Sequence, residues 1–226
     1  MSSPPTALLL VRAVLGAVAL AALVLAALAL GGCSVGDDGP RTTQTRDVAD
    51  FSRIDNGGSV DVRLHVGEAQ RVRVLAGEKV IDDVRTEVRD GTLHLTFDHD
   101  GFGGGDVVVE ASVPRLTGIQ ASGSGDIDAD GIDADAFELR SDGSADIALE
   151  GTAGRLAVDL DGSGEADLDG LSVREARVTV GGSGDVDVRA EERLEVDVDG
   201  SGDVRYHGDP ALTQRVDGSG DLSHAG

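Results

Sequence analysis

The chain is poor in aromatic residues: it has no tryptophan, one tyrosine and four phenylalanines among its 226 residues. Carbohydrate-binding surfaces generally offer aromatic rings as platforms, so this composition argues against a polysaccharide-active enzyme, although β-helices do host such enzymes. No serine lies in a Gly-x-Ser-x-Gly or Ser-x-x-Lys motif, and the five histidines show no metal-ligand spacing. The sequence therefore predicts no catalytic residue.

Basic residues are also scarce, with 19 Lys and Arg against 42 Asp and Glu and a formal net charge of -23. From Ala121 onward the balance is 26 acidic to 8 basic residues. Nucleic acid is excluded as a partner because binding it requires the opposite charge balance. An anionic membrane surface is disfavoured for the same reason, so any membrane attachment must come from the N-terminal leader.

The only cysteine is Cys33, which excludes an intramolecular disulfide and any metal site built on several cysteines. Before it lie 18 consecutive uncharged, almost wholly apolar residues, Ala13–Leu30, and the box Leu30-Gly31-Gly32-Cys33. This arrangement resembles a bacterial lipoprotein signal peptide, which is cleaved before a cysteine that then takes the lipid. Residues 1–32 are therefore predicted to be the signal peptide, and Cys33 the lipidation site.

Two other interpretations of the leader stay open. The apolar run approaches the length of an uncleaved membrane-spanning helix, and a cleaved signal without lipidation is the third case. All three export the rest of the chain, so we expect an extracytoplasmic protein at the cell membrane or envelope. Residues 33–46 are polar, contain Gly, Pro and Thr, and are predicted to form a flexible tether.

Residues 47–226 form the predicted folded domain. Apolar and polar residues alternate over 60–66, which is typical of a half-buried strand. Further strands are predicted at 84–88, 92–97 and 106–113, with a short helix near 78–83.

A six-fold repeat occupies 122–222. Its corner motif is Gly-Ser-Gly-Asp, and the serines recur at steps of 20, 19, 20, 18 and 18 residues. A near-constant period indicates stacked units. The corners begin SGSGDID, DGSADIA, DGSGEAD, GGSGDVD, DGSGDVR and DGSGDLS, and their serines are Ser124, Ser144, Ser163, Ser183, Ser201 and Ser219.

Short alternating apolar runs enter and leave each corner, and the glycines allow a bend that most side chains would obstruct. These features predict an all-β, single-domain β-solenoid with about 18–20 residues per coil and parallel ladders. A second turn in each period, such as Asp130-Gly131, would also suit an antiparallel up-and-down sheet. The near identity of the corners favours the solenoid, because hairpins tolerate many turn sequences.

The repeated corners, the closing Val204-x-Tyr206-x-Gly208-x-Pro210 and the opening Phe51-x-x-Ile54 resemble the bacterial head GIN domain family, whose members are called auto-transporter adhesins. The resemblance spans about Asp47 to Leu222. It implies a right-handed parallel β-helix, often on exported or lipid-anchored proteins, and brings no established catalytic residues.

One acidic residue follows each corner, and stacking would place these carboxylates about 4.8 Å apart. At that distance neighbours repel by about 0.9 kcal/mol even at the dielectric of water. The structural explanation is that each carboxylate accepts hydrogen bonds from backbone N–H groups or the serine hydroxyl of its own corner. The other explanation is a row of calcium ions. The column contains Asp126, Asp146, Glu165, Asp185, Asp203 and Asp221.

These features together predict a non-enzymatic envelope lipoprotein that displays an acidic β-helix for adhesion or protein–protein contact. The alternative is a cation-binding or structural envelope spacer. A polysaccharide-active enzyme is the third and least favoured class.

Overall fold

The computed structural model describes residues 38–97 and 106–225. The predicted signal peptide and Cys33 lie outside these residues. In the described part, no helix is long and apolar enough to cross a membrane, and the one 3₁₀ helix is Ile81–Asp83, within the stretch predicted to be helical. The strands are β1 Arg41–Arg46, β2 Arg53–Asn56, β3 Asp61–Val66, β4 Arg71–Gly77, β5 Val84–Arg89, β6 Thr92–Phe97, β7 Val108–Val113, β8 Gly118–Ala121, β9 Ile127–Ser141, β10 Ile147–Leu160, β11 Ala166–Val180, β12 Val186–Val198, β13 Val204–His207, β14 Ala211–Val216 and β15 Leu222–His224.

The repeat region is a β-solenoid in which each coil pairs in parallel with the coil one period away. Strands β9, β10, β11 and β12 follow one another across the sheet in sequence order. Their registers align the same repeat position, as in Ile127 with Ile147 and Ile147 with Ala166. The solenoid prediction is confirmed, and the antiparallel up-and-down alternative is wrong for this region.

The core is a set of aliphatic columns that run along the solenoid. One column contains Leu139, Val158, Val178 and Val196, each within 3% exposure. Because side chains alternate between the two faces of a strand, the residues between them point outward and carry most of the charge. Because the period is nearly constant, the apolar side chains of each coil lie above the equivalent side chains of the next coil, and the stacked coils bury them.

In β9 to β12 the second turn of each period is a bend within a long strand, whereas in the last coil it separates β13 from β14. Gly131 and Gly208 adopt φ values of 72° and 95° there, a region that favours glycine. The pairing of β10 with its neighbours shifts at Gly151, which marks a bulge. The coils therefore turn twice, once at the bulge and once at the glycine corner.

The first coils are stacked out of sequence order. Strand β2 pairs in parallel with β8 on one side and with β6 on the other, and β3 lies in the same way between β9 and β7. After β3 the chain therefore adds a coil that contains β6 and β7 on one side of the β2–β3 coil. It then adds the coil that contains β8 and the start of β9 on the other side. Antiparallel strands then extend this end: β5 pairs with β6, β4 with β7, and β1 with β4.

The structure differs from the predicted tether at Arg41–Arg46, which forms strand β1 and pairs with β4 over all six residues. The sequence shows no alternation of apolar and polar residues that would predict this strand, because none of its six residues is hydrophobic. It is held by main-chain hydrogen bonds and by Arg46, whose Nη2 donates to the carbonyl of Ile81 at 2.8 Å. The folded region therefore begins before the predicted boundary at residue 47.

Candidate functional site

Seven corners, rather than six, stack along one edge of the solenoid. The seventh is Gly57-Gly58-Ser59-Val60-Asp61, and the register that pairs Val62 with Ile127 places it directly beside the corner at 122–126. Sequence analysis missed it because valine replaces the second glycine and 65 residues separate it from the next corner. The signal that could have found it is the retained Gly-Ser-x-Asp.

Backbone hydrogen bonds join each corner to the next. The N–H of Ser144 donates to the carbonyl of Gly123 at 3.0 Å, and that of Ser163 to the carbonyl of Gly143 at 2.9 Å. The same bond recurs up to Ser219, whose N–H donates to Gly200 at 3.0 Å. The corners therefore continue the parallel ladder, and their spacing is that of neighbouring strands, about 4.8 Å.

The first glycine of each corner is required by close approach rather than by an unusual φ. A Cβ built on Gly162 would lie about 1 Å or more inside van der Waals contact with the carbonyl oxygen of Gly143. Gly143 stands in the same relation to Gly123, and Gly182 to Gly162. Any side chain at this position would push two coils apart, which explains the glycine in the six corners from Gly123 to Gly218. The corner at Gly58 is the exception, since the nearest atom to a Cβ there would be the backbone nitrogen of Phe97 at 3.1 Å.

The acidic residues form a hydrogen-bonded column along the corners. The N–H of Asp146 donates to Oδ1 of Asp126 at 3.1 Å, and the N–H of Glu165 to Oδ1 of Asp146 at 3.0 Å. The same bond links Asp126 to Asp61, Asp203 to Asp185 and Asp221 to Asp203, at 3.2, 2.7 and 2.8 Å.

This pattern corrects the expected hydrogen bonding of the corner. Each of these carboxylates accepts from the backbone of the next coil, not from its own corner, so the column ties coils together. A hydrogen bond from a backbone N–H to a carboxylate is charge-assisted and stronger than one between neutral groups, which offsets the repulsion between neighbours. Each such bond uses one carboxylate oxygen, and every acid of the column except Asp61 is exposed.

The corner serines do not help to satisfy the bend, contrary to the expectation from the sequence. All seven are exposed, and within the described ranges none makes a side-chain hydrogen bond. We name this exposed row of hydroxyls, together with the acidic column beside it, the corner ridge. Its serines are Ser59, Ser124, Ser144, Ser163, Ser183, Ser201 and Ser219, and its acids are Asp61, Asp126, Asp146, Glu165, Asp185, Asp203 and Asp221.

The described residues contain no group of three or more His, Cys, Asp or Glu side chains that could hold a metal ion. A depression of about 230 Å³ does lie on the acidic side of the ridge, between Asp126, Asp146 and Glu165 on one flank and Asp128 and Asp167 on the other. Its carboxylates follow one another along the solenoid axis, so they form a row and do not converge on one point.

A shallow groove of about 560 Å³ occupies another face. Its floor includes Leu156 and Ala176, and opposite charges alternate on its walls. Arg53 Nη2 donates to Glu138 Oε2 at 2.7 Å, and this hydrogen bond holds the pKa of Glu138 below its usual value. Both partners are more than a third exposed, so the pair adds at most about 1 kcal/mol to stability.

Comparison with known proteins identifies relatives of most of the folded region. The family model described as "Putative auto-transporter adhesin, head GIN domain" matches residues 50–210. None of the curated proteins matches the chain.

Solved structures share the fold at low sequence identity. A "putative adhesin" of Bacteroides fragilis is 22% identical with a TM-score of 0.65, and the match covers 82% of this chain and 97% of that one. A "putative lipid binding protein" of Parabacteroides distasonis is 23% identical with a TM-score of 0.54, covering 83% and 98%. A "putative adhesin" of Parabacteroides merdae is 18% identical with a TM-score of 0.50, covering 84% and 98%.

Proposed function

Since the chain belongs to the head GIN domain family of auto-transporter adhesins, we propose that it is a non-enzymatic, lipid-anchored envelope protein that makes adhesive or protein–protein contacts through its corner ridge. The observation that carries the choice of surface is the row of seven exposed serine hydroxyls without a side-chain hydrogen bond. A hydroxyl can both donate and accept, so this row offers unused hydrogen-bonding groups at a regular spacing.

The acidic column beside the hydroxyls sets the chemistry of the partner. Its carboxylates keep one oxygen each for an outside donor, and opposite potentials steer association. The ridge is also rigid, because backbone bonds fix every corner to the next, so little side-chain or loop ordering would oppose binding. The partner surface we propose is therefore a basic, hydrogen-bond-donating face of an envelope or surface protein.

The contact is tested by capture from envelope extracts with the full chain as bait. The ridge variant Ser144→Arg/Ser183→Arg places two bulky cations among the hydroxyls without touching the backbone bonds. The control Thr152→Arg/Ala157→Arg adds the same charge at exposed positions away from the ridge. We expect the wild type and the control to recover the same partner and the ridge variant to lose it. Recovery of no partner by the wild type, or equal recovery by all three proteins, would contradict the proposal.

The anchor is proposed to be a lipid on Cys33, which would leave residues 34–40 as the link between the membrane and strand β1. The motivation is the Leu-Gly-Gly-Cys box after an apolar run. Cell fractionation and mass spectrometry of the N-terminus test it. The wild type should be membrane-bound with a lipidated N-terminal cysteine, and Cys33→Ala should lose both properties. An unmodified, uncleaved N-terminus in the wild type would refute lipidation and leave the contact test unaffected.

A further inference from the structure

The last coil of the solenoid leaves a sheet edge open. Strand β14 pairs with β12 alone, and β15 with β13 alone, so within residues 38–97 and 106–225 nothing pairs with their outer edges. All six residues of β14 are exposed. An unpaired strand edge is a row of backbone donors and acceptors that can pair with another chain.

The same strand carries two exposed large apolar side chains. Leu212 and Val216, each 38% exposed, are the only large hydrophobic side chains exposed among the described residues. They align with the core columns, since Leu212 pairs in register with Leu194 and Val216 with Val198. The core columns therefore extend to β14, and no other described residue pairs with the outer edge of that strand.

Strand β14 is complementary to itself in one antiparallel register. If Gln214 lies opposite Gln214 of the copy, Leu212 lies opposite Val216 of the copy. In this register the side chains on the core face of one strand lie on the same face of the sheet as those of the other strand. Side chains directly opposite in an antiparallel pair are close enough to pack. The two Gln214 carboxamides then meet on the two-fold axis, where each can donate to and accept from the other.

Charge favours an end-to-end contact over a side-to-side contact. The ridge that runs along the side presents seven carboxylates, which would repel those of a second copy. Strand β14 has only one charged residue, Arg215, and it is paired within its own chain with Asp197 and Asp217. A chain of net charge -23 can thus approach its copy through a strand that contains no acidic residue.

We propose that two copies of this chain associate end to end through β14, antiparallel and with Gln214 on the two-fold axis. A two-fold contact uses the same patch on both partners and closes the assembly at two copies. The open β14 edges of the two copies become paired, and the two aliphatic cores become continuous. The corner ridge is left exposed on each copy, so the dimer would offer two ridges to a partner.

A symmetric disulfide tests the axis directly. Residues directly opposite in an antiparallel pair have Cα atoms about 4.5–5.5 Å apart, within the range of about 4.4–6.8 Å that a disulfide spans. In the full chain with Cys33→Ala, purified in detergent and oxidised, Gln214→Cys should give a covalent dimer. The matched control is Thr213→Cys on the same strand. Its Cα atom would lie about 8 Å from that of its copy across the axis, too far for a disulfide, so it should form no covalent dimer. Equal cross-linking of both variants, or none in either, would overturn the proposal.

A charge exchange tests the register in the otherwise native chain. Leu212→Glu should abolish the dimer seen by sedimentation in detergent, because the carboxylate would face Val216 of the copy. Adding Val216→Lys should restore the dimer through a cross-axis ion pair. Within one chain the two positions are about 13 Å apart along the strand, so restoration cannot come from an internal pair. Circular dichroism confirms that each variant is folded. A wild type that sediments as a monomer, or a double variant that stays monomeric, would contradict the proposal.

Discussion

Replacing Gly162 with alanine should strongly destabilise the solenoid. The added Cβ would overlap the carbonyl oxygen of Gly143 by about 1 Å or more, and the atom it meets is backbone, which cannot rotate away. The two coils must therefore separate at this corner. The separation strains two bonds, from the N–H of Ser163 to Gly143 at 2.9 Å and from the N–H of Gly162 to Ser141 at 3.2 Å.

The magnitude follows from what the separation disrupts. Two backbone hydrogen bonds contribute about 1 kcal/mol each, and opening the aliphatic columns beside the corner adds a packing loss of about 1 kcal/mol or more. We therefore expect the free energy of unfolding to fall by about 3 kcal/mol, which is large for a single methyl group.

Urea unfolding followed by far-ultraviolet circular dichroism measures this loss, and Ser163→Ala is the matched control. Ser163 is the next residue, is exposed, and uses only its backbone in the corner, so its substitution should change stability by at most about 0.5 kcal/mol. If the two variants unfold at the same urea concentration, close stacking is not what requires glycine at the corner.

Four further outcomes are expected. Asp146→Ala should lower the free energy of unfolding by about 1 kcal/mol, because it removes the acceptor of the Glu165 N–H, whereas Asp146→Asn keeps an acceptor, removes a charge and should be neutral or stabilising. Salt should raise the melting temperature, because the Debye length falls from about 30 Å at 0.01 M to about 3 Å at 1 M ionic strength and screens the acidic column. The pKa of Glu138 is lowered in the folded state by its hydrogen bond from Arg53. The stability that the wild type has over Glu138→Gln should therefore be complete above the usual pKa of 4.5 and vanish as the pH falls through the folded value; a pH-independent difference in urea midpoint would contradict this. Millimolar calcium should give neither heat in calorimetry nor a thermal shift, and a saturable heat would reopen the cation ladder.

The regular part of the fold could be predicted because the repeat carries its own register. The period is nearly constant and the corners from Ser124 to Ser219 are nearly identical, so one register places every corner and every apolar position above its equivalent in the next coil. The first coils could not be predicted in this way, since Ser59 and Ser124 are neighbours in space although the intervening chain contains β3 to β8. Strand β1 was missed because backbone pairing holds it and leaves no hydrophobic signal.

Six of the seven corners that form the candidate site were predicted from the sequence, but their hydrogen bonding was not. The acidic column and the serine row are visible in the sequence from residue 122 onward, and the structure places both on the surface. Which groups form hydrogen bonds depends on the distance between neighbouring coils, and this distance cannot be read from the sequence. It is this distance that brings the N–H of Asp146 to the carboxylate of Asp126 and leaves the serine hydroxyls to solvent.

The corner ridge itself is tested most directly by distances along it. Spin labels on cysteines that replace Ser59 and Ser183, or Ser59 and Ser219, in the full chain with Cys33→Ala would be separated by four and six coil steps. Because each step is about 4.8 Å, we predict about 19 Å and about 29 Å by pulsed electron spin resonance. Two distances that do not differ by about 10 Å would show that the corner at Ser59 is not the first step of a single ridge.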